Sequence, residues 1–273
     1  MIVAQITDFH TSHADSEIER RFGTTDCLAG MVEHLNGLDP QPTVVLATGD
    51  LVNEGETQEY DRLVKVLKGL KPPLYVVPGN HDDRTNLRKA FGAQGYLPAN
   101  GSYLHYLVDD YPVRLIGLDT QVPGKAGGEL CAERLAWLSA RLEEAPARPT
   151  LLFMHHPPFR TGMKVLDDIG LSGREALRDL VKAHPQVQLL IAGHVHRPIV
   201  KSFGGTSAVS SPSTAYQFSL ALSAGESLRI SQLPPACMLH LWLGPEEGFV
   251  SHQIDLPDLR PAGGSSASTA APA

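Results

Sequence analysis

The stretch Ile2-Val-Ala-Gln-Ile-Thr-Asp-Phe-His10 carries the pattern on which the fold turns: a short, β-branched apolar run that gives out into residues able to bind a metal. The run is bounded by polar residues and is too short for a helix, so it reads as a buried strand. The same event recurs along the chain. Thr43–Ala47 runs into Gly49-Asp50, Leu74–Val77 into Gly79-Asn80-His81-Asp82, Leu151–Met154 into His155-His156, and Gln188–Ala192 into Gly193-His194-Val195-His196. Arg114–Leu118 is a sixth apolar run of this kind.

Between these runs lie stretches with helical spacing: Cys27–Leu38, where Leu28, Met31, Val32 and Leu35 share a face, then Gln58–Leu70, Ala132–Leu142 and Gly173–Ala183. Alternation of strand and helix predicts an α/β architecture with sheets covered by helices. After Arg197 the segments Val200–Phe203, Ser207–Val209, Leu228–Gln232, Met238–Leu243 and Phe249–Ile254 follow one another with turn residues between them. They predict a second, mostly antiparallel sheet, beginning at about residue 198 and packed on the first. One domain over residues 1–257 is expected. The small, Pro/Gly/Ser/Ala-rich stretch 258–273 is expected to be a disordered tail.

Placement of the polar clusters points to a site. In open α/β sheets ligands bind beyond the carboxyl ends of the strands, so residues far apart in sequence converge there. Asp8 and His10, and likewise His194 and His196, are two apart, so in extended chain they would project to one side. Six of the twelve histidines fall in these clusters. Taken singly, each cluster has an ordinary explanation, an Asp as turn residue or helix cap and a His as surface or core residue. Five of them in order, each at a strand end, do not.

Carboxylate, imidazole and amide oxygen with no thiolate suit Mn, Fe, Zn or Co rather than a Cys-type structural zinc site. Asp8, His10, Asp50, Asn80, His155, His194 and His196 exceed the needs of one ion. Two divalent ions sharing a bridging carboxylate would use all seven and leave room for water and substrate.

Together, Asp8-Phe9-His10, Gly49-Asp50-Leu51, Gly79-Asn80-His81-Asp82, Met154-His155-His156-Pro157-Pro158 and Gly193-His194-Val195-His196 resemble the calcineurin-like metallophosphoesterases. The resemblance covers residues 1 to about 200. It is strongest to the class III cyclic nucleotide phosphodiesterases and the related bacterial glycerophosphodiesterase, and continues more weakly through Pro212–Gln217 and Pro235–His240. It implies a four-layer α/β/β/α sandwich of two mixed sheets flanked by helices. It also implies Asp8, His10 and His196 on one metal, Asn80, His155 and His194 on the other, and Asp50 bridging. His155 is taken over His156 as the first residue after the strand with proline two positions on.

The resemblance further implies a phosphodiesterase acting through a metal-held hydroxide, with His81 facing the substrate as transition-state stabiliser or proton donor, or else only orienting a ligand. The G-x-S-x-G nucleophile elbow is absent. Cyclic AMP is the first expected substrate, and glycerophosphodiesters or a broad set of mono- and diesters the alternative. Tyr216 stands where the glycerophosphodiesterase branch has a histidine, and either stacks on a nucleobase or sits in the core. Asp82 orients a ligand or caps a helix starting near Arg84, Arg197 meets a phosphate or is merely exposed, and His156 packs behind the ligands. A metal-binding scaffold is the non-enzymatic reading, and the completeness of the ligand set stands against it.

Lys+Arg 23 against Asp+Glu 30 gives a net charge of −7, which disfavours a nucleic-acid partner. Ile2–Ile6 is too short for a signal-peptide core or a membrane span, and Cys27, Cys131 and Cys237 lack C-x-x-C spacing, so a cytoplasmic protein with free thiols and no membrane partner is expected. The apolar run Cys237–Leu243 is compatible with a homo-oligomer interface or with a buried strand.

Overall fold

The computed structural model describes residues 1–223 and 225–256, so the predicted disordered tail at 258–273 lies outside the described residues. In chain order the elements are β1 (Ile2–Ile6), α1 (Glu17–Phe22), α2 (Thr24–Gly37), β2 (Val44–Ala47), α3 (Thr57–Leu67), β3 (Leu74–Val76), α4 (Arg84–Phe91), β4 (Tyr106–Val108), β5 (Arg114–Leu118) and β6 (Gly128–Glu129). There follow α5 (Ala132–Glu143), β7 (Thr150–Met154), α6 (Lys164–Asp168), β8 (Leu171–Ser172), α7 (Arg174–Ala183), β9 (Val187–Ala192), β10 (Ile199–Phe203), β11 (Thr206–Ser210), β12 (Ala236–Trp242) and β13 (Phe249–Asp255).

Two mixed sheets, flanked by helices, organise these elements. One has the order β13-β12-β1-β2-β3 and the other β10-β11-β9-β7-β5-β4, with β6 and β8 forming a small separate pair. β1, β2 and β3 run parallel, as do β5, β7, β9 and β11. The layering follows from the two-residue period of a strand. In β7, Leu151 and Phe153 face the core shared with β1 and β2, while Leu152 and Met154 face the core under α5 and α7. In β9, Leu189 and Ile191 point inward and Leu190 and Ala192 outward in the same way. A parallel strand buried on both faces is apolar at most positions, which is why these runs show no alternation.

The later segments depart from the expected separate antiparallel sheet. β10 and β11 extend the second sheet, β11 pairing parallel with β9, whereas β12 and β13 add antiparallel strands to the β1 edge of the first. The reason is edge capping: each parallel core would otherwise end in unpaired backbone groups, and the C-terminal strands cover one edge of each. Leu228–Gln232 forms no strand, and only an isolated bridge joins Ile230 to Phe218. Cys237–Leu243 falls largely within β12, which is hydrogen-bonded on both sides, so the buried-strand reading of that run holds. Among the described residues no helix is long and apolar enough to cross a membrane.

Beneath the strand ends one buried side chain ties the sheets together. Gln5 is fully buried; its Nε2 donates to the Ala192 carbonyl of the second sheet at 2.8 Å and to Thr48 Oγ1, just after β2, at 3.0 Å. Its Oε1 accepts from His240 Nε2 at 3.1 Å, and His240 Nδ1 in turn accepts from Ser251 Oγ at 2.7 Å. An apolar replacement of the same size leaves buried partners unpaired. Gln5→Leu is therefore expected to lower the unfolding free energy by about 2–4 kcal/mol, measured by urea denaturation.

Candidate metal centre

Asp8, His10, Asp50, His155, His194 and His196 are all buried and stand within a few ångströms of one another, although they come from four separate strand ends. The backbone is the means. Among the described residues the non-glycine residues with positive φ are Asp8 (53°), His10 (47°), Asp50 (49°), His194 (69°) and His196 (47°), and no others. Each such conformation costs about 1–3 kcal/mol in an L-residue. Thus the two-residue spacing of Asp8 with His10, and of His194 with His196, works through a left-handed residue at each end of the motif, not through the extended chain that spacing alone suggests.

Glycines beside the carboxylates leave no room for a Cβ. One built on Gly79 would lie 2.1 Å from Asp50 Oδ1, and one on Gly193 would lie 2.1 Å from Thr7 Oγ1 and 2.8 Å from Asp8 Oδ2. Glycine there lets backbone pass directly against the carboxylates.

Hydrogen bonds fix the ring orientations. His155 Nδ1 donates to the Thr48 carbonyl (2.8 Å), His194 Nε2 to the Ile169 carbonyl (3.1 Å) and His196 Nδ1 to the Tyr216 carbonyl (2.7 Å). In a neutral imidazole the second nitrogen then carries a lone pair, and in all three it points into the cluster. There His155 Nε2 lies 3.1 Å from Asn80 Oδ1, 3.3 Å from Asp50 Oδ2 and 3.3 Å from His194 Nδ1. His196 Nε2 lies 3.3 Å from Asp8 Oδ1 and 3.3 Å from His10 Nε2, and His10 Nε2 lies 3.9 Å from Asp50 Oδ2. Lone pairs aimed at lone pairs at such distances suit a cation between them. The donor chemistry fits a divalent metal, with Asp8, His10 and His196 able to hold one ion, Asn80, His155 and His194 a second, and Asp50 Oδ2 within reach of both groups.

The titration behaviour agrees for Asp50, His10 and His194. Burial opposes ionisation of Asp50, but His155 and His81 outweigh it and hold the carboxyl well below the usual range. Burial also lowers His10, to about 3, with the positive charge of His81 adding to the effect, and drives His194 well below its ordinary value. Against its own burial, His155 is lifted to about 9 by Asp50 and Asp8. Ionised carboxylates beside neutral His10 and His194 are what a metal requires, whereas His155, protonated without a cation, would give up its proton on binding one.

His156 faces elsewhere. Its Nε2 donates to the Ala126 carbonyl (3.0 Å) and its Nδ1 accepts from Thr120 Oγ1 (2.8 Å), so both nitrogens are engaged while its ring packs 4.5 Å from that of His194. Asp82 orients rather than caps: it accepts from Gly79 N, Leu51 N and Tyr60 Oη, and Asp83 caps α4 instead. Arg197 donates to the Phe218 carbonyl at 2.7 Å. Tyr216 is 5% exposed and stacked on Phe22 at 4.5 Å, so it packs behind His10 and His196 and has no face free for a base.

With this geometry established, residues 1–198 match the family model described as calcineurin-like phosphoesterase. The chain belongs to that family. Calcineurin-like phosphoesterases are hydrolases of phosphoesters. The chain is 35% identical over 253 residues to the probable glycerophosphodiester phosphodiesterase GpdQ of Arcobacter nitrofigilis, covering 92% of each. It is 30% identical over 218 residues to the 3′,5′-cyclic adenosine monophosphate phosphodiesterase CpdA of Pseudomonas aeruginosa, covering 80% of this chain and 78% of the relative. The fold is similar to that of a dimetal phosphatase from Danio rerio, with a TM-score of 0.67 and 16% identity, over 93% of this chain and 98% of the other.

Several parts of this phosphoesterase site escaped sequence reasoning. The carbonyls of Thr48, Ile169 and Tyr216 orient the rings, and a backbone carbonyl carries no residue signature. Gln121 donates to the carbonyls of Gly79 (2.9 Å) and Asp82, bracing both ends of the loop that bears Asn80 and His81. Because a methyl group at residue 79 would displace Asp50, Gly79→Ala is expected to weaken Mn²⁺ binding roughly 10–100-fold. Equilibrium dialysis reads this directly, and unchanged affinity would remove Asp50 from the ligand set.

Proposed function

We propose that this phosphoesterase is a phosphodiesterase that uses two divalent ions, of Mn, Fe, Zn or Co type, to hydrolyse small phosphodiesters. The observation that carries the reading is the pair of acceptor clusters sharing Asp50 at the floor of a cavity of about 870 Å³. The ions would supply Lewis acidity, drawing charge from the phosphoryl oxygens and making water acidic enough to attack at neutral pH.

The side chains do the rest. Asp50, its Oδ1 accepting from the His81 backbone N–H at 3.0 Å, presents Oδ2 to both clusters. His81 Nδ1 donates to the Asn53 carbonyl at 2.7 Å, which turns the opposite edge of the ring away from Asn53, and the imidazole lines the cavity. Burial disfavours its charge, but Asp50 and the Asn53 carbonyl more than compensate and raise its pKa, and its place on the cavity wall makes His81 the side chain positioned to hand a proton to the leaving oxygen.

For the substrate we place glycerophosphodiesters first, because the relative of that name matches over 92% of both chains, and cyclic AMP second. This reverses the order suggested by the motifs alone. A cytoplasmic setting belongs to the proposal and rests on the free thiols of Cys131 and Cys237.

The test strips the protein with chelator, restores Mn²⁺, and compares turnover of glycerophosphoethanolamine and cyclic AMP. Mn-dependent hydrolysis is expected, faster on the former, and Asn80→Ala is expected to lower it about a hundredfold or more. Preference for cyclic AMP would restore the other order, and metal-independent or absent hydrolysis of both would overturn the reading.

A further inference from the structure

The walls of the cavity differ on its two sides. On the side of His194 and His196 they are apolar. Phe218 stacks on the His196 ring at 4.3 Å, Phe22 lies behind Tyr216 with the Arg21 guanidinium 4.8 Å over its ring, Ile169 follows α6 with its carbonyl on His194, and Val165 and Leu228 complete the face. Val165 is 41% exposed. The surface continues outward at Leu222, 62% exposed, whose Cδ2 lies 3.9 Å from the Cβ position of Gly162.

On the side of His81 the walls are hydrophilic. The bridge between Thr11 and Val52 sets Ser12 and His13 beside Asn53 and Glu54, and Ser16 and Glu17 at the start of α1 complete that face. His13 is paired with Glu56 at 2.8 Å, and Asn53 Nδ2 donates to Glu54 Oε1 at 2.7 Å, so the polar groups there form a connected surface.

A phosphodiester carries two ester groups that diverge from phosphorus. Apolar surface next to reacting atoms gains from an apolar group that leaves water, and hydrophilic surface carrying Glu17 and Glu54 suits an alcohol bearing an ammonium group. We infer that the site takes asymmetric phosphodiesters, with an apolar ester group along the Phe218, Leu228, Val165 and Ile169 wall and a hydrophilic alcohol on the His81 side, and that the hydrophilic alcohol is released. The inference rests on the phosphodiesterase reading above and narrows its substrate to glycerophosphodiesters that carry an acyl chain. In the reaction the oxygen of water bonds to phosphorus, the bond from phosphorus to the hydrophilic alcohol's oxygen breaks, and that oxygen takes a proton on the His81 side. The apolar group stays on the phosphomonoester product.

The experiment compares glycerophosphoethanolamine with its 1-hexanoyl ester on the Mn²⁺-loaded full chain, the reacting phosphate and both of its ester bonds being the same in each. Expected are a kcat/KM about tenfold or more higher for the acylated diester, and ethanolamine together with acylglycerol phosphate as products. In the Val165→Ser/Leu228→Ser double variant the ratio of the two kcat/KM values is expected to fall toward one, a change that a loss of folded protein cannot produce. Equal kcat/KM for both diesters, or release of phosphoethanolamine, overturns the inference while leaving the phosphodiesterase reading in place. Turnover of neither diester under conditions where Mn²⁺ binds overturns both.

Discussion

Two buried carboxylates and four buried imidazoles have to face one another without protons between most of them, and much of the chain is arranged to make that tolerable. Left alone, the lone pairs of His155, His194, His196 and the two Asp side chains would turn away or take up protons. They do not turn away, because each imidazole just named is tied by its other nitrogen to a backbone carbonyl, and Asp50 Oδ1 and Asp8 to backbone N–H groups at His81 and His194. The cost appears in the backbone as the left-handed residues at positions 8, 10, 50, 194 and 196. Five such residues together represent about 5–15 kcal/mol of local strain, as much as the whole net stability of an ordinary domain. Such strain persists only where surrounding structure over-determines it, and a bound cation would add to that restraint.

The two sheets supply the over-determination. Asp8 and Asp50 belong to the first sheet, and His155, His194 and His196 to the second, so the site exists only while the sheets keep their relative position. Apolar packing between them is non-directional and would permit a small slide. Gln5 does not, because its amide must reach Ala192 and Thr48 at once, within two residues of His194 and Asp50. The Gly79–Asp82 loop is braced separately from the second sheet by Gln121, whose own position is set by Asp119 and by Arg84, which grips Asp119 with two hydrogen bonds. Polar links of this kind contribute little net stability but permit only one geometry.

This division explains what the sequence disclosed. Every parallel strand that ends at the site was legible, because doubly buried strands are apolar at nearly every position, and the four long helices α2, α3, α5 and α7 showed their amphipathic spacing. The seven candidate ligand positions were readable for the same reason: they follow runs that cannot be anything else. Short elements such as α1, α6, β6 and β8 were not readable, since two to six residues give too few periods to register. Nor was the allocation of the C-terminal strands, which depends on which sheet edge is free and not on any local pattern. The left-handed conformations were hidden as well, because Asp and His adopt them for tertiary reasons and, unlike glycine, do not announce them.

The distribution of walls around the site follows the same logic at a finer level. Residues proposed to act on phosphorus sit on strand ends, where neighbouring strands fix them on both sides. The cavity's apolar face is drawn from α1, α6 and the connection after Tyr216, which pack on one another in a small hydrophobic cluster apart from the two main cores. A change in that cluster alters the shape and polarity presented to the ester groups without moving β1, β2, β7 or β9. Yet the two regions are joined at three points: the Ile169 carbonyl on His194, the Tyr216 carbonyl on His196, and the Phe218 ring stacked on that same histidine. Substitutions at Ile169 or Tyr216 that shift the backbone therefore reach the rings, whereas those at Val165 and Leu228 do not. Specificity can thus vary at the outer positions of the wall independently of metal geometry, while the inner positions bind the two together.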